Sequence, residues 1–162
     1  MRHLLASAAV AVLMAGASPV LAETPEDQLI VAFNMNNVLT MDPAAITGGE
    51  AVQILNNVYD ALVQLNPVTR VLEPRLAESW EISDDNMTVT FTLRDDAVFA
   101  SGNPVTAHDV EYSLKRLLTL NLAQASALKS RGFVTEDIDT YFVAEDDKTF
   151  VLTLPQPDDP KL

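Results

Sequence analysis

The sequence predicts a mixed α/β fold, because strand-like and helix-like patterns alternate along one chain. Residues 88–93 place three apolar side chains in alternation with three threonines, the period of two that marks a strand with one buried face. Thr106 stands at an N-cap position with Asp109 three residues later, which is typical of a helix start. Two hairpins and one capped helix are therefore the elements on which the predicted fold rests.

The first 22 residues have the pattern of a secretory signal peptide. A short basic start precedes an apolar run over residues 4–17, which is too short to span a bilayer. Pro19 then breaks the helix, and cleavage is expected between Ala22 and Glu23. The alternative is a buried N-terminal helix, which the polar, proline-containing segment that follows disfavours.

Composition excludes several classes of function. Removal of 22 of the 162 residues leaves 140, and it changes the formal net charge from −13 to −14 because this segment holds Arg2 and no acid. Such a surface repels phosphate backbones, so nucleic acid is not an expected partner. The absence of cysteine excludes disulfides, thiolate metal sites and a lipidated cysteine. A secreted, periplasmic protein that is not embedded in the membrane and needs no cofactor is expected.

The first half of the mature chain is predicted to form one strand, one loop and one helix. Residues 28–33 (QLIVAF) are predicted to form a buried strand, and a polar loop follows. Apolar side chains at three- and four-residue spacing predict a helix over residues 50–65, with Tyr59 on its buried face. Residues 71–76 contain a proline and are predicted to be an irregular link.

The second half is predicted to hold two hairpins, a capped helix and a weakly helical stretch. The first hairpin pairs residues 79–82 with 88–93, and the capped helix begins after Thr106. The weakly helical stretch covers residues 121–138, and the second hairpin pairs residues 140–143 with 149–154. Trp80 lies on a predicted strand and is expected in the core.

No catalytic constellation is visible in the sequence, so the chain is not expected to be an enzyme. His108 is the one histidine that remains after processing, and it has no cysteine or second histidine as partner. Paired acids lie at predicted turns and are expected to be solvated there, namely Asp84 with Asp85, Asp95 with Asp96, Asp146 with Asp147, and Asp158 with Asp159. A secreted hydrolase acting through Asp95 or Asp96 is an alternative to a binding protein.

A series of collinear motifs resembles extracellular solute-binding protein family 5, the dipeptide- and oligopeptide-binding proteins of ABC importers. The matching segments are residues 28–33, 41–43 (MDP), 57–63, 76–80 (LAESW), 90–95 and 99–116. His108 and Asp96 depart from the usual residues of that pattern. The resemblance implies the N-terminal part of lobe I of a periplasmic-binding-protein fold, with residues 23–47 as its first strand and loop. Residues 48–162 would be its small α+β subdomain, truncated, and the second lobe would be absent.

The resemblance also implies a function. Family members enclose a ligand between two lobes and dock on a permease in the inner membrane, so a peptide or other small solute and an ABC permease are the expected partners. By position, the loop after the first strand would contact the ligand, through Asn36, Asn37, Val38, Leu39 and Thr40. The alternative is that this loop only connects two elements. A fragment of this size is expected not to close on a ligand, and the alternative is a self-sufficient secreted binding module.

Overall fold

The computed structural model describes residues 25, 27–32 and 34–157, and the predicted cleavage point at Ala22 and Glu23 lies outside this part of the chain. The chain divides into two compact units, one up to residue 33 and one from residue 34 onward. The predicted boundary between residues 47 and 48 stays a prediction.

The predicted buried strand over residues 28–33 is wrong for the residues that the structure describes. Residues 28–32 are irregular, with Leu29 89% and Ile30 71% exposed, and Phe33 lies outside the description. The Gln28 N–H donates to the Pro25 carbonyl at 3.0 Å within the same unit. An apolar run becomes a strand only when another strand pairs with its backbone, and the described residues of the first unit contain no strand.

The second unit begins with a short helix and a two-stranded sheet rather than the predicted long helix. Helix α1 spans Gly49–Leu55, and strands β1 (Val63–Leu65) and β2 (Leu72–Pro74) pair antiparallel. The prediction of a helix over residues 50–65 is therefore wrong beyond Leu55, and the irregular link at residues 71–76 contains a strand.

Local side chains explain where α1 ends. Asn57 donates from Nδ2 to the Gln53 carbonyl at 2.7 Å, so an amide side chain takes a hydrogen bond of the last turn. Asn66 then closes the β1–β2 turn, because its Oδ1 accepts from the backbone N–H groups of the two residues after Pro67. Tyr59, predicted to be buried, lies between these elements and is 50% exposed.

The predicted hairpins form one four-stranded antiparallel sheet. Its strands are β3 (Ala77–Ile82), β4 (Thr88–Leu93), β5 (Phe142–Ala144) and β6 (Thr149–Thr153), in the spatial order β3-β4-β6-β5. The β3–β4 turn has Asn86 in the left-handed region (φ 55°), and Asp85 Oδ1 accepts the Met87 N–H at 3.0 Å. The turn predicted at Asp84 and Asp85 is therefore confirmed, and the Asp85 side chain stabilises it as an Asx-type turn.

Three helices lie between β4 and β5 in the chain. They are α2 (Ala107–Thr119), α3 (Ala125–Lys129) and α4 (Ile138–Tyr141). The predicted cap is confirmed, because Thr106 precedes α2 and its N–H donates to Asp109 Oδ2 at 2.8 Å, closing a capping box. The predicted weak helix over residues 121–138 is present as the five residues of α3.

The core lies between the helices and one face of the four-stranded sheet. Phe142, Phe150 and Leu118 are 0% exposed, and Phe91 stacks on Phe150 with ring centroids 6.2 Å apart. Trp80 is partly buried and packs against this cluster, as predicted. The other face of β4 carries threonines that are only partly buried, which explains the period of two in the sequence.

The loop after residue 41 is held against the helices by an ion pair and two hydrogen bonds. Arg116 donates from Nη1 and Nη2 to Asp42 Oδ1 at 3.2 Å and Oδ2 at 2.5 Å, a bidentate pairing. Gln124 donates from Nε2 to the Ile46 carbonyl at 2.7 Å and from its backbone N–H to the Ala44 carbonyl at 3.1 Å. The start of the second unit is thereby fixed to the last turn of α2 and the start of α3.

The pKa of Asp42 is lowered, mainly by the side-chain hydrogen bond from Arg116. Burial acts in the opposite direction, and the hydrogen bond from the Ala44 N–H adds to the lowering. A carboxylate whose pKa is lower in the folded state stabilises the fold above its unfolded pKa and loses that contribution as the pH falls through its folded pKa.

We predict that Leu118→Ala lowers the free energy of unfolding by about 2–5 kcal/mol, because the side chain is fully buried and leaves a cavity. Leu120→Ala is the matched control: the side chain is 58% exposed, and the expected loss is under about 1 kcal/mol. Urea unfolding of the purified chain measures both, and equal losses would contradict the packing of α2 on the sheet.

We further predict that Asp42→Asn lowers the urea midpoint at pH 7 and that the difference from the unsubstituted chain narrows below about pH 4, where the carboxylate becomes protonated. Asp84→Asn removes the same charge from an exposed turn position whose side chain has no hydrogen bond to a described residue. This control should leave the midpoint unchanged at both pH values. A constant difference for Asp42→Asn across this range would show that its ionisation does not stabilise the fold.

Candidate functional site

The loop predicted to contact a ligand begins with a single turn of 3-10 helix over Met35–Asn37. Asn34 caps this turn, since its Oδ1 accepts the Asn36 N–H at 3.1 Å, and the Val38 N–H donates to the Met35 carbonyl at 3.1 Å. The backbone donors of Asn36 and Val38 are therefore already used within the loop. Sequence reasoning treated the predicted contact residues as equivalent, and the structure separates them.

From Val38 to Asp42 the side chains alternate between partly buried and exposed. Val38 packs against the small cluster formed by Ile46, Ala51 and Leu55, whereas Leu39 is 83% exposed. An alternation with a period of two is that of an extended segment with one face toward the protein. This segment, residues 38–42, is called the extended segment below.

Leu39 is the most exposed residue of the extended segment. Within the part of the chain that the structure describes, its N–H and carbonyl have no hydrogen-bond partner. The backbone groups of Thr40 and Met41 have no partner among the described residues either, and the Thr40 side chain accepts the Asp42 N–H on its Oγ1 at 3.0 Å. An extended backbone with an unused donor and acceptor is the arrangement that pairs with another strand.

Two open grooves lie elsewhere on the second unit. One, of about 550 Å³, runs along α2 past Tyr112 and Arg116, and the other, of about 690 Å³, follows the chain from Asn56 to Leu65. Neither is lined by Asn36, Asn37, Val38, Leu39 or Thr40.

His108 is exposed at the start of α2 between two carboxylates. Its Nε2 lies 3.8 Å from Asp147 Oδ1, and its Nδ1 lies 3.9 Å from Glu111 Oε2. The pKa of Glu111 is lowered chiefly by a hydrogen bond from Lys115, and Glu111 also accepts the Ala144 N–H at 3.0 Å. Glu111 therefore ties α2 to β5. Among the described residues no group of three or more His, Cys, Asp or Glu side chains is placed to hold a metal ion.

One acid in each of three turn pairs has a pKa lowered by hydrogen bonds to its neighbours. The pKa of Asp85 is lowered first by the Ser83 hydroxyl, that of Asp96 by Arg94, and that of Asp146 by the Lys148 N–H. A glycosidase needs one carboxyl with a raised pKa opposite a second one. These three shifts run the other way, which argues against the hydrolase alternative at these turns; Asp158 and Asp159 lie outside the described residues.

No helix in the described part of the chain is long and apolar enough to cross a membrane.

Comparisons with known proteins agree with the resemblance seen in the motifs. The family profile named bacterial extracellular solute-binding proteins, family 5 Middle, matches residues 71–162. The dipeptide-binding protein DppE of Bacillus subtilis (strain 168) is 33% identical over 147 residues, which cover 84% of this chain and 26% of DppE. A probable peptide ABC transporter periplasmic-binding protein of Sinorhizobium fredii, y4tO, is 32% identical over 127 residues, 78% of this chain and 22% of y4tO.

The fold agrees as well. The solved structure of the Escherichia coli murein tripeptide binding protein MppA superposes with a TM-score of 0.65 at 31% identity, over 74% of this chain and 25% of that chain. The predicted fold class, a mixed α/β part of a periplasmic-binding-protein fold, is thereby confirmed. This chain spans about a quarter of the length of these relatives. Since the family profile covers more than half of the sequence and the fold matches, the chain belongs to the bacterial extracellular solute-binding proteins of family 5.

Proposed function

We propose that this chain is the N-terminal part of a periplasmic component of an ABC importer that binds a peptide or another small solute. The names of its relatives, a dipeptide-binding protein, a murein tripeptide binding protein and a probable peptide ABC transporter component, support this class of ligand and partner. Secretion through a signal peptide cleaved between Ala22 and Glu23 and docking on an inner-membrane permease are parts of the same proposal.

The ligand contact is proposed at the loop of Asn36, Asn37, Val38, Leu39 and Thr40. The observation that carries this proposal is the unpaired backbone of Leu39 in the extended segment. A peptide in an extended conformation has the same alternation of donors and acceptors as a strand, so it adds to an unpaired segment through main-chain hydrogen bonds. Such pairing is insensitive to the ligand's side chains.

Enclosure of a ligand is proposed to need more protein than this chain holds. The chain covers about a quarter of each relative. A buried ligand is covered on both sides, so the second side would come from the remainder of a longer protein.

A self-sufficient secreted binding module is the second candidate, and one observation favours it. Ten buried residues form a continuous core in the second unit, and no buried side-chain nitrogen or oxygen among the described residues lacks a hydrogen-bond partner. A complete core of this kind is what a module folding alone requires. Micromolar peptide binding by the purified chain itself would favour this candidate over the first.

The proposed function is tested with a hybrid in which residues 34–157 replace the corresponding segment of Escherichia coli MppA. We expect the hybrid to bind a murein tripeptide in calorimetry, because the two proteins share a fold at a TM-score of 0.65 over 74% of this chain. The proposal is wrong if the hybrid folds, as circular dichroism reports, and binds no peptide while unaltered MppA does.

Within this hybrid we predict that Leu39→Pro weakens peptide binding by about fivefold, because proline removes one backbone donor worth about 1 kcal/mol. Val38 has φ −87° and ψ 79°, outside the right-handed helical region, so proline is tolerated after it. Leu39→Ala changes the side chain and keeps the donor, and its affinity should stay within about twofold. Equal effects of both substitutions would assign the contact to the Leu39 side chain instead.

A further inference from the structure

A continuous series of hydrogen bonds runs from α2 into the extended segment. Arg116 donates twice to the Asp42 carboxylate, at 3.2 and 2.5 Å. The Asp42 N–H then donates to Thr40 Oγ1 at 3.0 Å, and Asp42 Oδ1 accepts the Ala44 N–H at 3.0 Å. The residues of this series are all only partly buried, so water can compete for each of these hydrogen bonds.

The hydrogen bonds that Gln124 makes to this loop do not reach the extended segment. Gln124 bonds the carbonyls of Ala44 and Ile46, which lie after Asp42 in the chain. On the other side, Val38 is anchored by its contact with the small apolar cluster. Between these two anchors, each side-chain hydrogen bond that the structure describes has Asp42 as its donor or acceptor. Arg116 is the cation that orients the Asp42 carboxylate.

We propose that Arg116 is a positioning residue for ligand binding, which it serves by orienting Asp42 so that Leu39 presents its backbone in an extended conformation. This inference rests on the proposed function, since it assigns to α2 of the subdomain a role in the affinity of the loop. Binding is favoured by a preorganised segment, because ordering a flexible one opposes association. Arg116 itself has no contact with the ligand in this scheme.

The chain offers a matched control in a second bidentate pair. Arg94 donates to Asp96 from Nε at 2.6 Å and from Nη2 at 3.1 Å. This pair joins residues only two positions apart at a turn of the sheet, whereas Arg116 and Asp42 are 74 positions apart. Arg94→Gln therefore removes an equivalent guanidinium without touching the extended segment.

The first measurement is hydrogen–deuterium exchange on the full chain. Arg116→Gln is expected to raise the exchange rate of the Asp42 and Ala44 amides by about tenfold, as local opening becomes easier, with the amides of β4 unchanged. Arg116→Lys keeps the charge without the bidentate geometry and should give an intermediate rate. Arg94→Gln should leave these amides unchanged. Unchanged rates in Arg116→Gln would overturn the proposal.

The second measurement is peptide affinity in the MppA hybrid. Arg116→Gln is expected to weaken binding about tenfold and Asp42→Asn similarly, with the double variant no weaker than either, because both act through one contact. Additive losses, or full affinity in Arg116→Gln, would overturn the positioning role. A hybrid that binds no peptide before any substitution would instead overturn the proposed function, and the exchange rates would still decide whether Arg116 orders the segment.

Discussion

The placement of the start of the second unit depends on the ion pair between Asp42 and Arg116. Residues 34–55 hold only a small apolar cluster of their own, three buried side chains and Val38, which is too little to fix a segment of this length. The larger core belongs to the sheet and to α2. The ion pair and the two hydrogen bonds from Gln124 connect the small cluster to that core.

The packing of α2 in the larger core explains why Arg116 has a fixed position from which to bind Asp42. The capping box at Thr106 and Asp109 sets where α2 begins, and the buried Leu118 sets which of its faces meets the sheet. Together they determine the direction in which Arg116, two positions before Leu118, projects from the last turn. A cation there is also favoured by the negative end of the helix. Arg116 and Gln124 thus connect the hairpins and helices to the loop that holds the candidate site.

Prediction from the sequence succeeded where the pattern is local. The hairpin turn at Asn86 and the cap at Thr106 depend on neighbours within a few residues, and both were found. The helix predicted over residues 50–65 failed because Asn57 caps the last turn of α1, a competition between side chain and backbone that apolar periodicity does not report. The strand predicted at residues 28–33 failed because an apolar run does not state which strand pairs with it.

The candidate site was less accessible to such reasoning. Asn36, Asn37, Val38, Leu39 and Thr40 were chosen through the family resemblance alone, and only the structure distinguishes Leu39, whose backbone is unpaired, from Val38, whose N–H is used. The contact between Asp42 and Arg116 was missed altogether. Its partners are 74 residues apart, and no spacing rule joins an acid before a proline to an arginine at the end of a distant helix.

The most direct test of the central claim is the exchange of the Leu39 and Met41 amides, which lie on the same side of an extended segment, in the MppA hybrid with and without a murein tripeptide. If the ligand adds to the extended segment as a strand, its binding should slow exchange at these amides by at least about tenfold and leave β4 unchanged. Calorimetric binding of the tripeptide with no change in exchange at residues 38–41 would contradict it and would place the ligand contact elsewhere.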